Sequence, residues 1–216
     1  MKNLSILAWL VVVLCIGSES LAWNSVADFE SAATNALADV SILVSEDFGK
    51  ELTNYIAAAS NYEAKIAAQL VLGERHLASY NETLKESNLK DALGVASNVC
   101  SLTRTEESSW CRWHARLFLS TCLARNNQIE RAYEVASNTV SCLGTQSVVT
   151  DNIVSVALLR YDRAQDLSIR QATVLANALF AAMLKKRCEA TMLAQELPTR
   201  YREMVSRLVN GEEWIR

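Results

Sequence analysis

The sequence predicts an all-α protein, and three observations lead to this prediction. Only one proline and six glycines occur in 216 residues, so few positions interrupt a helix. Alanine is abundant throughout the chain. Apolar residues recur at helical spacings, as at Ile66, Leu70 and Leu77. This spacing places one apolar stripe along a helix and differs from the alternation that is typical of strands.

Residues 1–22 are predicted to be a secretory signal peptide. A basic start at Lys2 precedes an apolar stretch from Leu4 to Ile16, and small and polar residues follow up to Ala22. This order is typical of a signal peptide, and the stretch is shorter than the roughly 20 residues that a membrane anchor needs. We therefore expect cleavage before Trp23, a single domain over residues 23–216, an extracellular location, and no membrane span after cleavage.

A block of the sequence recurs at an offset of 40 residues. Leu89–Asn98 aligns with Ile129–Asn138, with five identities that include both alanines of the block. A further step of 40 residues reaches Ile169–Asn177, where the leading aliphatic residue and the two alanines recur. The chain therefore contains a helical repeat, unless alanine-rich amphipathic helices resemble one another by chance.

The repeat defines units of two helices at residues 64–101, 110–142 and 148–195. The expected helices cover residues 64–84, 88–101, 110–125, 128–142, 148–163 and 167–195, and other helices are expected to end near Gly49, Pro198 and Asn210-Gly211. A period of about 40 residues with two helices is typical of α-solenoids. We expect a short right-handed stack of antiparallel helical hairpins that is stapled by disulfides. An irregular globular helical bundle is the alternative.

The segment Leu117–Ala132 contains the clearest unit. It carries Asn127 between its two helices, Ile129 early in the second helix and Ala132 one turn later. On these residues the segment resembles a tetratricopeptide hairpin. In that family glycine usually occupies the turn, an apolar residue packs after it, and a small residue lets the second helix cross the first. The resemblance implies a scaffold that binds other proteins.

The cysteines of an exported chain are expected to form disulfides. Five remain after cleavage, so one is left as a free buried thiol or forms an intermolecular bridge. Cys100 and Cys111 are nearly symmetric about the loop near residue 105, as are Cys142 and Cys188 about the turn near residue 166. These are the favoured pairs, and they leave Cys122 as the free thiol. The competing scheme joins Cys111 to Cys142.

Two further patterns indicate surface features. Asn81 begins an Asn-Glu-Thr sequon, which predicts an exposed and glycosylated asparagine if the organism glycosylates. Trp110, Arg112 and Trp113 have the composition of an interface hot spot. The alternative for these three residues is packing inside the protein near a disulfide.

Charge and motifs exclude several function classes. With 21 basic and 24 acidic residues, the chain lacks the electrostatic footprint of a nucleic-acid-binding protein. Two histidines leave little for a metal site or a catalytic triad, and no CxxC pair, HExxH motif or glycine-rich phosphate loop occurs. We therefore expect no catalysis, no metal and no cofactor.

Two binding functions remain. The first is a secreted scaffold that binds an extracellular protein through the concave face of stacked hairpins. The alternative is an extracellular carrier that encloses a small apolar ligand between its helices. Its cavity would be lined by Ile66, Leu70, Ile153, Val154, Val156, Leu158 and Phe180.

Overall fold

The structure is a computed structural model that describes residues 23, 25–104, 110–143, 167 and 169–211. The described part of the chain forms ten helices and no strand, which confirms the all-α prediction. The signal peptide and the helix expected at 148–163 lie outside the described residues. The helices are α1 (Val26–Ala38), α2 (Val40–Val44), α3 (Glu46–Ala58), α4 (Tyr62–Thr83), α5 (Glu86–Leu102), α6 (Trp110–Arg125), α7 (Ile129–Leu143), α8 (Ile169–Met183), α9 (Arg187–Ala194) and α10 (Thr199–Val209).

The first four helices begin at polar side chains that cap their backbone N–H groups. Ser25 and Asp28 form a capping box at α1, in which each side chain accepts a hydrogen bond from the other's backbone amide. Asp39, Ser45 and Asn61 accept backbone N–H bonds at the starts of α2, α3 and α4. Such caps each contribute about 0.5–2 kcal/mol, so local sequence fixes where these helices start.

The turn between α6 and α7 is formed by Asn127, as the hairpin pattern predicts. Asn127 has a φ of 57°, and its N–H donates to the Ala124 carbonyl at 3.0 Å. The Gln128 N–H donates to the Leu123 carbonyl at 2.9 Å, which completes a Schellman motif. Asparagine adopts the left-handed conformation more readily than most residues do, so it can replace the glycine that is usual at this turn.

Two expected helix boundaries are wrong. The helix expected at 167–195 is divided into α8 and α9 by Lys185, which has a φ of 61° and forms another Schellman motif with Lys186. No glycine, proline or asparagine marks this break in the sequence. Gly49 lies inside α3 instead of ending a helix. A Cβ at residue 49 would lie 2.7 Å from the Arg75 guanidinium, so the absence of a side chain at Gly49 leaves room for Arg75.

The helices contact mainly their neighbours along the chain. α1, α2 and α3 pack on α4, which forms a hairpin with α5. α6 forms the next hairpin with α7, and it also contacts both α4 and α8. α9 and α10 pack on α8. The described helices therefore run from α1–α3 at one end, through two hairpins, to α8–α10.

The aligned alanines lie at helix contacts. Ala92 in α5 and Ala132 in α7 occupy the same repeat position, and both are fully buried. Ala96 and Ala136 are fully buried one turn later, whereas Ala172 in α8 is half-buried. Because the side chains at a contact set the distance between helix axes, alanine at these positions allows close packing. The repeat positions are thus equivalent in α5 and α7 and more exposed in α8.

Gly73 in α4 lies in close contact with both α5 and α6. A Cβ added to Gly73 would lie 2.5 Å from Cε1 of Phe118 in α6 and 3.3 Å from a methyl group of Val95 in α5. Phe118 is fully buried in the largest apolar cluster, which extends from α1 to α6. The missing side chain at Gly73 therefore lets the Phe118 ring insert between two hairpins.

We expect Gly73→Ala to destabilise the protein, because overpacking of a core costs about 1–3 kcal/mol and exceeds the gain in helix propensity. Gly94 in α5 is the matched control, since a Cβ there meets nothing within 4 Å. Gly94→Ala should stabilise by about 0.5–1 kcal/mol. Urea unfolding of both variants measures the difference, and equal effects would contradict the close approach at Gly73.

The cysteines differ from the expected disulfide framework. Cys100 and Cys122 are free thiols and Cys111 forms no disulfide, so neither the expected Cys100–Cys111 bridge nor the competing Cys111–Cys142 bridge is present. Cys188 is likewise unbridged, and the Cys142 side chain lies outside the described residues. Symmetry about a loop fixes the level of two residues along a hairpin, but not the direction of their side chains. Cys111 is fully buried, whereas Cys100 is only partly buried.

Alkylation of the native protein should distinguish the exposed thiol from the buried thiols. Burial raises the pKa of Cys100 to about 12 and raises the pKa of Cys122 well above its usual range. Since the thiolate is the reacting form, iodoacetamide should modify exposed Cys188 and spare Cys100, Cys111 and Cys122 until the protein unfolds. Peptide mass spectrometry identifies the modified residues. An intact mass lower by two hydrogens, with Cys100 and Cys111 unreactive even after unfolding, would contradict the free thiols.

Candidate functional site

An open cleft lies between α2, α4 and the end of α6. Its volume is about 450 Å³, which is within the range of small-ligand sites. One face of α4 supplies most of the lining, because residues at positions i, i+3, i+4, i+7 and i+8 of a helix share a side. The lining residues are Val40 from α2, Glu74, Leu77, Ala78, Asn81 and Glu82 from α4, and Arg125 from α6.

The cleft has an apolar floor and a charged rim. Leu77 and Ala78 are buried, whereas Asn81, Glu82 and Arg125 are exposed. Arg125 is the last residue of α6, where a cation interacts favourably with the helix dipole. The rim therefore presents both signs of charge to an incoming group.

Glu74 is the unusual residue of the cleft. Only 9% of it is exposed, although burial of a carboxylate is costly. In the sequence it lies four residues after Leu70, at a position where the apolar stripe of α4 is expected to continue. This interruption of the stripe is the signal that could have identified the cleft from sequence.

The cleft is suited to recognition. Its seven lining residues include no serine, cysteine or histidine. Two carboxylates, one guanidinium and one amide can instead form hydrogen bonds and ion pairs with a bound molecule. The sequence candidate Asn81 lies on the rim and is exposed, as a glycosylated residue must be.

The hot-spot candidates are less accessible than their composition suggests. Trp113 is 7% exposed, and the guanidinium carbons of Arg112 and Arg116 lie 5.2 and 5.6 Å from the centre of its ring. Arg112 is half-buried, and the Trp110 side chain lies outside the described residues. Trp113 thus contributes to the interior through packing and cation–π contacts.

A second polar cluster joins α7 to α9. The Tyr133 hydroxyl donates a short hydrogen bond to the Glu189 carboxylate, and the Lys186 ammonium lies 4.1 Å from the centre of the Tyr133 ring. The hydrogen bond to Glu189 and burial together raise the pKa of Tyr133 to about 12. Lys186 also lies 3.7 Å from Glu189. These three side chains hold α9 against the second hairpin.

His76 in α4 is half-buried, and burial lowers its pKa although Asp91 in α5 raises it in part. The folded protein therefore favours the neutral ring. The unfolded chain binds the proton more readily, so the free energy of unfolding should fall as the pH decreases through the ordinary histidine range.

Urea unfolding between about pH 7.5 and pH 5 tests this effect, since most carboxylates titrate below that range. His76→Gln should lose less stability than the unmodified protein over the same interval. The same pH dependence in both proteins would contradict the lowered pKa of His76.

No protein-family model, curated protein or solved structure matches the chain. The resemblance to tetratricopeptide hairpins therefore rests on residues 117–132 and on the turn at Asn127. Among the described residues, no helix is long and apolar enough to cross a membrane.

Proposed function

We propose that this protein is a secreted, non-catalytic helical scaffold that binds another macromolecule. The observation that carries the proposal is the contact between successive hairpins, α4–α5 and α6–α7, with the aligned alanines buried in α5 and α7. Stacked hairpins bury one side of each helix and leave a second surface open to a partner. A short right-handed α-solenoid is part of this proposal.

The cleft supplies a binding position on that open surface. α4 and α6 are the first helices of adjacent hairpins, and they contact each other. In helical-repeat proteins, equivalent helices of successive units line a common binding surface. The buried floor at Leu77 and Ala78 and the exposed rim at Glu82 and Arg125 suit a side chain of a bound polypeptide.

The carrier function is less well supported. Ile66 and Leu70 are buried in the large cluster of α1–α6, whereas Phe180 packs with Leu123 in a different cluster. These three expected lining residues fill the core at separate places. The remaining candidates, at 153–158, lie outside the described residues, and the cleft that we describe is open and charged.

The proposed secretion rests on the signal-like sequence of residues 1–22, and the expected cleavage falls beside an aromatic cluster. Trp23, the first residue after the expected cleavage, packs against Phe29, Phe48 and Tyr55 with ring centres 5.3–5.9 Å apart. These distances are typical of favourable aromatic pairs. Cleavage before Trp23 would leave this aromatic cluster complete.

Site-specific photo-cross-linking tests the scaffold function in the medium of the cells that make the protein. A benzoylphenylalanine probe at Glu82 should give a discrete macromolecular adduct, and the same probe at exposed Ser97 in α5 should not. Arg125→Glu should reduce the adduct at Glu82, because it reverses a charge on the rim. Arg131→Glu, an exposed substitution in α7, is the matched control.

Three outcomes would contradict the scaffold function. The first is that neither probe gives an adduct. The second is that both probes give the same adducts. The third is a small apolar molecule that native mass spectrometry finds bound to the purified protein, which would favour the carrier.

A further inference from the structure

The two ends of the described helices carry opposite charge. We define the acidic end as residues 25–58, which form α1–α3, and the basic end as residues 169–211, which form α8–α10. The acidic end contains one basic residue, Lys50, and six acidic ones: Asp28, Glu30, Asp39, Glu46, Asp47 and Glu51. The basic end contains three acidic residues, Glu189, Glu196 and Glu203, and seven basic ones: Arg170, Lys185, Lys186, Arg187, Arg200, Arg202 and Arg207.

The helices between these ends carry nearly equal numbers of acidic and basic side chains. Residues 59–104 and 110–143 contain seven acidic and nine basic side chains. Together the described residues contain 16 acidic and 17 basic side chains, so their nearly neutral sum conceals a segregation of charge between the two ends. Segregation of this kind produces an electrostatic field that orients charged partners.

The two ends are separated in the fold. The acidic end packs on α4, and in the basic end α9 and α10 pack on α8. α6 contacts both α4 and α8 and so lies between them. The acidic and basic ends therefore pack on different helices of the described part of the molecule.

Ion pairs within each end do not change the sign of its net charge. At the acidic end Lys50 lies 3.9 Å from Glu46, which leaves the exposed carboxylates of Glu30 and Asp47. At the basic end Arg170 pairs with Glu196 at 2.6 Å and Lys186 with Glu189 at 3.7 Å. Lys185 and Arg187 are exposed at the turn between α8 and α9.

Both ends also expose large apolar side chains among their charges. Val26 and Ile42 are about 40% exposed at the acidic end, and Met183 and Met192 are 52% and 62% exposed at the basic end. A repeat protein normally needs polar terminal surfaces to stay soluble. Apolar side chains surrounded by charge are instead the composition of a protein interface.

We propose that the acidic end of one copy docks on the basic end of a second copy. An anionic membrane or a nucleic acid would use the basic end alone, whereas a second copy matches both ends in charge and in exposed apolar side chains. Because different surfaces meet, the contact is heterologous, and a heterologous contact whose rotation does not close a ring extends into an open chain. The acidic end adjoins the cleft at Val40, but the docking rests on exposed charge and exposed apolar side chains and does not depend on the proposed scaffold function.

Sedimentation velocity over a range of protein concentrations tests this association. Assemblies should grow with concentration and reach no fixed stoichiometry. Between about 0.1 M and 1 M salt the Debye length falls from about 10 to 3 Å, and the association should weaken about tenfold or more.

Charge reversal makes the test specific. Glu30→Lys with Asp47→Lys changes the formal charge of the acidic end from −5 to −1, and Lys185→Glu with Arg187→Glu changes that of the basic end from +4 to 0. Each double variant therefore keeps only one strongly charged end. Each double variant should remain monomeric alone, and a mixture of the two should associate again. Arg131→Glu reverses an exposed charge of α7 outside both ends and should leave association unchanged, while thermal melting verifies that each variant folds.

Three results would overturn the proposed association between copies. Monomeric behaviour of the unmodified protein at both salt concentrations would overturn it, as would a closed dimer. A mixture of folded double variants that fails to associate would also overturn it. Loss of association with an unchanged cross-link at Glu82 would separate this interface from the scaffold function.

Discussion

Close approach between neighbouring helices is the constraint on which the rest of this structure depends. Gly73 admits the Phe118 ring between two hairpins, and fully buried alanines such as Ala92 and Ala132 lie at helix contacts in α5 and α7. Small side chains bury little apolar area each, so a single hairpin gains little stability from them. Several hairpins must pack together before the sum of their buried apolar areas stabilises the fold. This packing determines which helix faces stay exposed and can bind a partner.

Much of the fold could be predicted because its signals are local. The scarcity of proline and glycine predicts helices, and the turn at Asn127 follows from the ability of asparagine to adopt a left-handed conformation. The break at Lys185 could not be predicted, because lysine carries no such preference and only the hydrogen bonds of the turn define it. Trp113 illustrates a further limit, since composition does not indicate which helix face is buried. The cleft is formed by three helices that are distant in sequence. In the sequence, only the charged Glu74 within the apolar stripe of α4 indicated its position.

The cleft and the two charged ends divide the surface into regions with different physical character. Recognition in the cleft combines a buried carboxylate and an apolar floor, so it depends on shape and on desolvation. Docking between the ends depends on exposed charge, which acts at longer range and responds to ionic strength. The two regions adjoin at Val40, which belongs to the acidic end and also lines the cleft.

The position of Asn81 has a consequence for access to the cleft. Its side chain lies on the rim, beside Glu82 and above the floor formed by Leu77 and Ala78. A branched sugar attached there would project over the opening and act as a steric filter, because it would exclude bulky folded domains and admit a slender, extended peptide. In a host that glycosylates Asn81, the cleft would then select partners by their width. In a host that does not, it would select them by charge alone.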